Sequence, residues 1–305
     1  MYQAQVHSWG SNPTWTKVPD LPPPGPEELQ VKVLAAGVPR VVRSRASGKH
    51  YSSGSLPHVP GLDGIGIMTS TNQKCYFFSM TSPIMSEYLN LPKTSVIPLP
   101  DDTDPVHFAA SINPAMSSWM ALKGRTNGLE DGFTCLVLGA TSASGRLAIP
   151  LARALGATKV VGAARNQQTL DTLGLDASII IQDDVEKTDF SHLDDVDVIV
   201  DYVYGALTLH LFRSLKTPKP VQYVHVGGLS GEMEMSVPGE ILRSKDITIR
   251  GSGPGAWNMK AFVKTLPELL EAVSKVPKQA TKVAKFEDIE KKWDYQGPER
   301  LVFVP

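Results

Sequence analysis

Apolar residues fall along this chain in two different rhythms. Over residues 29–36, Leu29, Val31 and Val33 alternate with Gln30 and Lys32, the pattern of a half-buried strand. Further short strands are expected at 64–68, 74–78 and 85–91. The proline-rich stretch 19–26 is a stiff surface loop, because proline fixes φ and lacks an amide donor. Residues 1–105 therefore read as a β-rich region with irregular loops.

The rhythm changes after Asp101-Asp102-Thr103-Asp104-Pro105, acidic residues plus a proline that suit a helix start. Residues 106–123 follow with helical patterning. Thr134-Cys135-Leu136-Val137-Leu138 is a nearly continuous apolar run, as expected of a strand buried on both faces. A helix at 146–155 comes next. Strands are expected at 159–163, 177–181, 196–200, 221–226 and 247–249, with helices at 167–173 and 206–215 between them. A last helix is expected over 258–276, with Asn258 as its N-cap and a kink at Pro267. Repeated strand–helix–strand units of this kind predict an α/β protein with a doubly wound parallel sheet.

Composition narrows the function classes. The 305 residues carry 30 Lys+Arg against 31 Asp+Glu, a formal net charge of −1. That balance argues against nucleic-acid binding, which needs a surplus of basic side chains. The content is 42% hydrophobic and 20% charged, too apolar for intrinsic disorder. Cys75 and Cys135 are the two cysteines, too few for a disulfide framework or a cysteine-rich zinc site. No secretory leader and no membrane-length apolar run is visible, so the expectation is a soluble cytoplasmic protein with no membrane partner.

Chemistry concentrates at the strand ends. Gly139-Ala140-Thr141-Ser142-Ala143-Ser144-Gly145 lies between the apolar strand and the first helix. Small residues there allow a tight turn close to a pyrophosphate, and the helix beyond offers unpaired amides to the anion. About 20 positions past the last glycine of such a loop, an acidic residue holds a ribose diol, whereas an arginine accommodates a 2′-phosphate. Here that position is Arg165, next to Asn166, and the reading is NADP(H) rather than NAD(H). Later strand ends add cofactor candidates at Tyr202, Val203 and Tyr204, at Val226, Gly227 and Gly228, and at Ser252, Gly253 and Pro254.

These segments together resemble the medium-chain dehydrogenase/reductase superfamily, in its zinc-independent, quinone oxidoreductase-like and enoyl reductase-like branch. The matching residues include Val33 to Val38, Ser47-Gly48-Lys49-His50-Tyr51, Pro60-Gly61-Leu62-Asp63-Gly64, Asn113 to Trp119, Ser252 to Gly255 and Arg300 to Pro305. The resemblance implies a Rossmann domain at 108–255 inserted into a β-rich, GroES-like substrate domain at 1–107 and 256–305. It also implies hydride transfer from NADPH in an interdomain cleft, and commonly a homodimer. By the same resemblance Ser117 is a candidate cofactor contact and Asn113 a substrate contact.

Departures from the family sharpen the reading. Val38-Pro39-Arg40 stands where zinc-dependent relatives carry a cysteine, and Gly61-Leu62-Asp63 replaces Gly-His-Glu, so no metal is expected. Pro39 and Ser44 replace an Asn and a Tyr found in well-known quinone reductases. Without a Lewis acid, reduction of an enone or quinone is easier than oxidation of an alcohol. His50 and Tyr51 are the candidate proton donors to the developing enolate or hydroquinone anion. Asp63 is expected to bond backbone amides in its turn. Two alternatives stay open: a dedicated enoyl reductase of a polyketide-like pathway, and a low-turnover NADPH-binding sensor or interaction protein.

Overall fold

The computed structural model describes residues 1–50, 52–193 and 195–305. The chain divides into two compact units, Met1–Asn113 with Pro277–Pro305, and Pro114–Val276.

The first unit begins with an antiparallel hairpin of β1 (Tyr2–Gln5) and β2 (Thr14–Lys17). Its central strand is β3 (Glu28–Gly37), the expected alternating segment, which is followed by the short helix α1 (Arg40–Ala46). Then come β4 (Asp63–Met68), β5 (Lys74–Phe78), β6 (Tyr88–Pro92) and β7 (Val96–Pro98). The helix α2 (Pro105–Trp119) carries the unit boundary and ends in a π-helical turn, Met120–Gly124.

The second unit alternates as the apolar runs predict. Its elements are β8 (Thr134–Leu138), α3 (Ala143–Ala154), β9 (Lys159–Ala164), α4 (Gln167–Leu170), β10 (Ala177–Ile180), β11 (Val198–Asp201), α5 (Ala206–Ser214), β12 (Val221–His225), α6 (Gly239–Ser244), β13 (Ile247–Gly251) and α7 (Met259–Lys275). The six strands form one parallel sheet in the order β10-β9-β8-β11-β12-β13. This is the doubly wound order of a Rossmann fold. Along β8 the side chains divide by pleat: Cys135 and Val137 enter one core with Ala148 and Ile149 of α3, and Leu136 and Leu138 enter the other with Leu207 and Leu211 of α5.

The chain then returns to the first unit with β14 (Thr281–Lys285), α8 (Ile289–Lys292) and β15 (Arg300–Val304). Seven strands make its sheet, with β15 joining β3 and β14 at the edge. A single core of Val31, Val33, Phe77, Leu89, Phe286 and Phe303, with their neighbours, underlies it.

The observed unit boundaries differ from 107/108 and 255/256. The last helix belongs with the parallel sheet, because the buried Trp119 indole donates to Thr265 Oγ1 at 2.8 Å and Lys123 pairs with Glu268. Asn258 caps this helix, accepting from the Ala261 amide at 3.1 Å. Among the described residues, no helix is long and apolar enough to cross a membrane.

Asp63 departs from the expected amide-bonded turn. It opens β4, is 4% exposed, and accepts the Tyr76 hydroxyl at 3.4 Å. Burial pushes its carboxyl up to about 7 from 3.8, against a smaller opposing effect of the Tyr76 hydrogen bond. Between these values the unfolded chain ionises while the folded one keeps its proton, so this group withdraws stability as pH rises from about 4 to about 7. Asp63→Asn is therefore expected to be more stable than the parent at pH 8, by roughly 2 kcal/mol more than at pH 5. Urea unfolding at the two pH values checks this; an unchanged gap rejects it.

Candidate functional site

Buried β8 delivers the chain to the glycine turn at the carboxyl edge of the parallel sheet. Gly139 takes φ +82°, and its amide and that of Ala140 both donate to the Ala163 carbonyl on β9, at 2.9 and 3.1 Å. A Cβ on Gly145 would lie 2.2 Å from the Gly139 carbonyl oxygen, so the first turn of α3 touches the turn that precedes it. Ser142 is the N-cap, its Oγ accepting from the Gly145 amide at 3.0 Å. The Ala143 and Ser144 amides, at the first two helical positions, make no hydrogen bond among the described residues. They point the positive end of α3 out of the sheet edge. Thr141 accepts Arg146 Nε on its carbonyl at 3.0 Å, which holds the outer limb of the turn.

Arg165 follows β9 directly, is exposed, and makes no hydrogen bond or salt bridge among the described residues. Its neighbour Asn166 is engaged structurally, the side chain capping α4 by accepting from the Thr169 amide at 2.9 Å.

The end of β11 is organised by a residue that the apolar pattern does not single out. Asp201 is 0% exposed, yet its carboxylate accepts four hydrogen bonds. Oδ1 takes the amides of Val203 at 2.6 Å and Tyr204 at 3.0 Å; Oδ2 takes Thr208 Oγ1 at 2.5 Å and Tyr223 Oη at 2.7 Å. The two amides hold Tyr204 at φ +68°, an uncommon conformation for a side-chain-bearing residue. There its ring packs on His225, with centroids 4.2 Å apart. Burial, reinforced by the Asp201 charge, pushes the Tyr223 hydroxyl far up, so it remains a donor. Burial also lowers His225 below the usual imidazole range, against the pull of Asp201, so the ring is neutral at pH 7. The signal available in sequence was an Asp ending an apolar strand, which spacing alone does not distinguish from a solvated loop charge.

Tyr202 requires a correction. Its ring was expected against a cofactor, but it is 5% exposed and belongs to the core. Its hydroxyl, pushed up to about 12 by burial, meets Ser118 Oγ at 2.6 Å. Ser118 also donates to the Ser144 carbonyl at 3.2 Å, so α2 is joined to the first turn of α3 through Ser118. Ser117, the expected contact, instead bonds the Pro114 carbonyl of its own helix at 2.7 Å.

The remaining strand ends converge at the same edge. Val226 and Gly227 donate to the Asp201 carbonyl at 2.8 and 3.1 Å, and the Ser252 amide donates to the His225 carbonyl at 2.7 Å. After Gly228, Leu229 donates to the Tyr202 carbonyl at 2.8 Å and reaches across Gly139. Gly253 and Pro254 enter a short 3₁₀ turn whose flanks Arg125 ties together, binding the carbonyls of Gly251 and Ala256 at 2.7 and 3.0 Å.

In the first unit, His50 sits in the loop after α1. Ser52 donates its amide to His50 Nδ1 at 3.2 Å, which leaves Nε2 as the protonated nitrogen of the neutral ring. Burial and then the nearby Arg45 charge lower its pKa below the usual value. Tyr51 lies outside the described residues. Arg45 is 6% exposed and fastens this loop, donating to the carbonyls of Ser52, Gly61 and Met80 at 3.2, 3.4 and 2.7 Å. Asn113 is half-buried near the middle of α2.

Replacing Asp201 by Asn turns two accepting oxygens into one acceptor and one donor among four fixed donors. Asp201→Asn is expected to cost about 2–4 kcal/mol of stability, read by denaturant unfolding. A loss below about 0.5 kcal/mol would remove Asp201 from the centre of this edge.

No family model matches the chain. It is 35% identical to the probable NADPH-dependent quinone reductase tdiC of Emericella nidulans, over 90% of this chain and 91% of that protein. It is 25% identical to a mitochondrial enoyl-[acyl-carrier-protein] reductase of Caenorhabditis elegans, over 77% of this chain and 71% of that one. Among solved structures, the quinone oxidoreductase of Thermus thermophilus superposes with a TM-score of 0.80 over the whole of both chains at 19% identity, and shares the fold. The chain belongs to the quinone oxidoreductase-like branch of the medium-chain dehydrogenase/reductase superfamily.

Proposed function

We propose that this protein is a zinc-independent, NADPH-dependent oxidoreductase that reduces a quinone or an enone. The observation that carries the reading is the pair of unengaged amides of Ala143 and Ser144 at the start of α3, beside a turn too tight for any side chain at Gly145. A dinucleotide fits this edge: its pyrophosphate would take the two amides and the helix dipole. The exposed Arg165 guanidinium would take a 2′-phosphate. The name of the Emericella relative, an NADPH-dependent quinone reductase, supports the same cofactor.

Bound NADPH supplies the hydride. What the chain supplies is placement and a proton. Asp201, Tyr204 and the 226–228 turn form a hydrogen-bonded edge on which the ligand would be placed. His50, neutral with its proton on Nε2, is the donor we assign to the oxygen of the reduced acceptor. A cytoplasmic homodimer belongs to the same reading; the resemblance supports the homodimer, and Ile249 is 43% exposed on the edge strand β13. The enoyl reductase reading is favoured by the Caenorhabditis relative and shares the hydride chemistry, differing in the acceptor.

Three measurements test this. Purified protein should oxidise NADPH with simple quinones or enones; cofactor binding without turnover across a broad acceptor panel would instead support a sensor. Arg165→Asp should weaken NADPH binding by about 10–100-fold and NADH binding little; equal losses would take Arg165 out of the site. His50→Gln should lower kcat by roughly 100-fold with cofactor affinity retained, and an unchanged kcat would dismiss His50 as the donor.

A further inference from the structure

The crossover from β10 to β11 is unusual for its position. A connection between parallel strands is usually an α-helix laid on the sheet. Here residues 181–197 contain the 3₁₀ turn Val185–Lys187 and, among the described residues, no α-helix. The segment is nonetheless well anchored. Thr188 takes the Gln182 amide on its hydroxyl at 3.1 Å, and His210 Nε2 lies 2.9 Å from its carbonyl. Phe190 and Leu193 enter the core beside Leu211 and Phe212 of α5. The crossover thus buries this face of β9, while the edge strand β10 stays partly exposed.

The result is a cavity of about 250 Å³. Ala177 of β10 is the register partner of Val161, and alternation puts Lys159 and Val161 of β9 on the same face as Ala177 and Ile179. Ala177 and Ile179 give the cavity its accessible apolar floor, while Val161 and Leu193, 2% and 5% exposed, belong to the core behind it. Lys159 and Lys187 stand among its lining residues. Lys159 makes no hydrogen bond or salt bridge among the described residues, and Lys187 has an exposed partner in Asp184 at 3.3 Å. Among the described residues the acid that lines the cavity is Asp189, which is turned into its own loop, where it accepts the Ser191 amide at 2.8 Å.

We propose that this slot is a second binding site, for a small aromatic carboxylate of about a dozen non-hydrogen atoms. The ring would cover Ala177 and Ile179, and the carboxylate would meet Lys159 and Lys187. The site lies wholly within the parallel-sheet unit, and its lining includes no residue of the glycine turn.

The experiment uses the full chain saturated with NADPH, titrated with naphthoate and followed by amide chemical shifts and calorimetry. Naphthalenemethanol is the neutral control. Naphthoate is expected to bind with Kd below about 1 mM and to shift Ile179, Lys187 and Leu193, with the alcohol at least about tenfold weaker. Lys159→Glu should weaken naphthoate by about tenfold, and Ala177→Trp should fill the slot and abolish binding. Both positions are exposed, so folding should survive; if the tryptophan variant does not fold, the charge reversal decides alone. Shifts confined to other regions, equal binding of acid and alcohol, or affinity unmoved by Lys159→Glu would each overturn the proposal.

Discussion

A carboxylate taken out of water loses solvation worth several kcal/mol, and the loss persists unless donors replace it. Asp201 is completely buried and finds four donors, two from the backbone just ahead of it, one from α5 and one from β12. Those bonds do more than satisfy the charge. They bend the chain at Val203 and Tyr204, seat Thr208 and hence α5 against the sheet, and lock β12 to β11 through Tyr223. Four elements of the carboxyl edge thus meet at one charge.

The glycine turn depends on the same economy of space. Gly145 lies so close to the Gly139 carbonyl that any side chain would collide, and this closeness brings the α3 N-terminus to the strand end. Behind the turn, Ser118 holds both the Ser144 carbonyl and the Tyr202 hydroxyl. A helix from one part of the chain, the turn, and the end of the neighbouring strand β11 are thus one hydrogen-bonded body. Preorganisation of this kind suits a site that receives a large, multiply charged anion.

The first unit uses a different device for its loops. Segments rich in Gly, Pro and Ser bury little apolar surface, and order has to come from polar contacts. Arg45 supplies them, its guanidinium capping three carbonyls from residues far apart in sequence. The loop bearing His50 is held by this cation, whose charge also helps to keep the imidazole neutral.

Much of this architecture was legible in the chain. The apolar run at Thr134–Leu138 read as a strand buried on two faces, and the spacing from it to the strand expected at 221–226 left room for crossover helices. The turn at Gly139 to Gly145 and the arginine past the next strand were visible because their chemistry is local: small residues, a helix start, a charge at a set distance. The short helix Arg40–Ala46 and the strands Tyr2–Gln5 and Thr281–Lys285 were not, since their patterning is weak and pairing partners decide them. The placement of the last helix with the parallel sheet turned on Trp119 meeting Thr265, residues 146 positions apart. What sequence determined by itself were the periodicities and the local turns, because these depend on neighbours along the chain. Only the tertiary structure decided that Asp201 is a buried hub, that Tyr202 is core and Ser118 rather than Ser117 the link, because burial and hydrogen-bond partners are supplied by residues the local pattern does not contain.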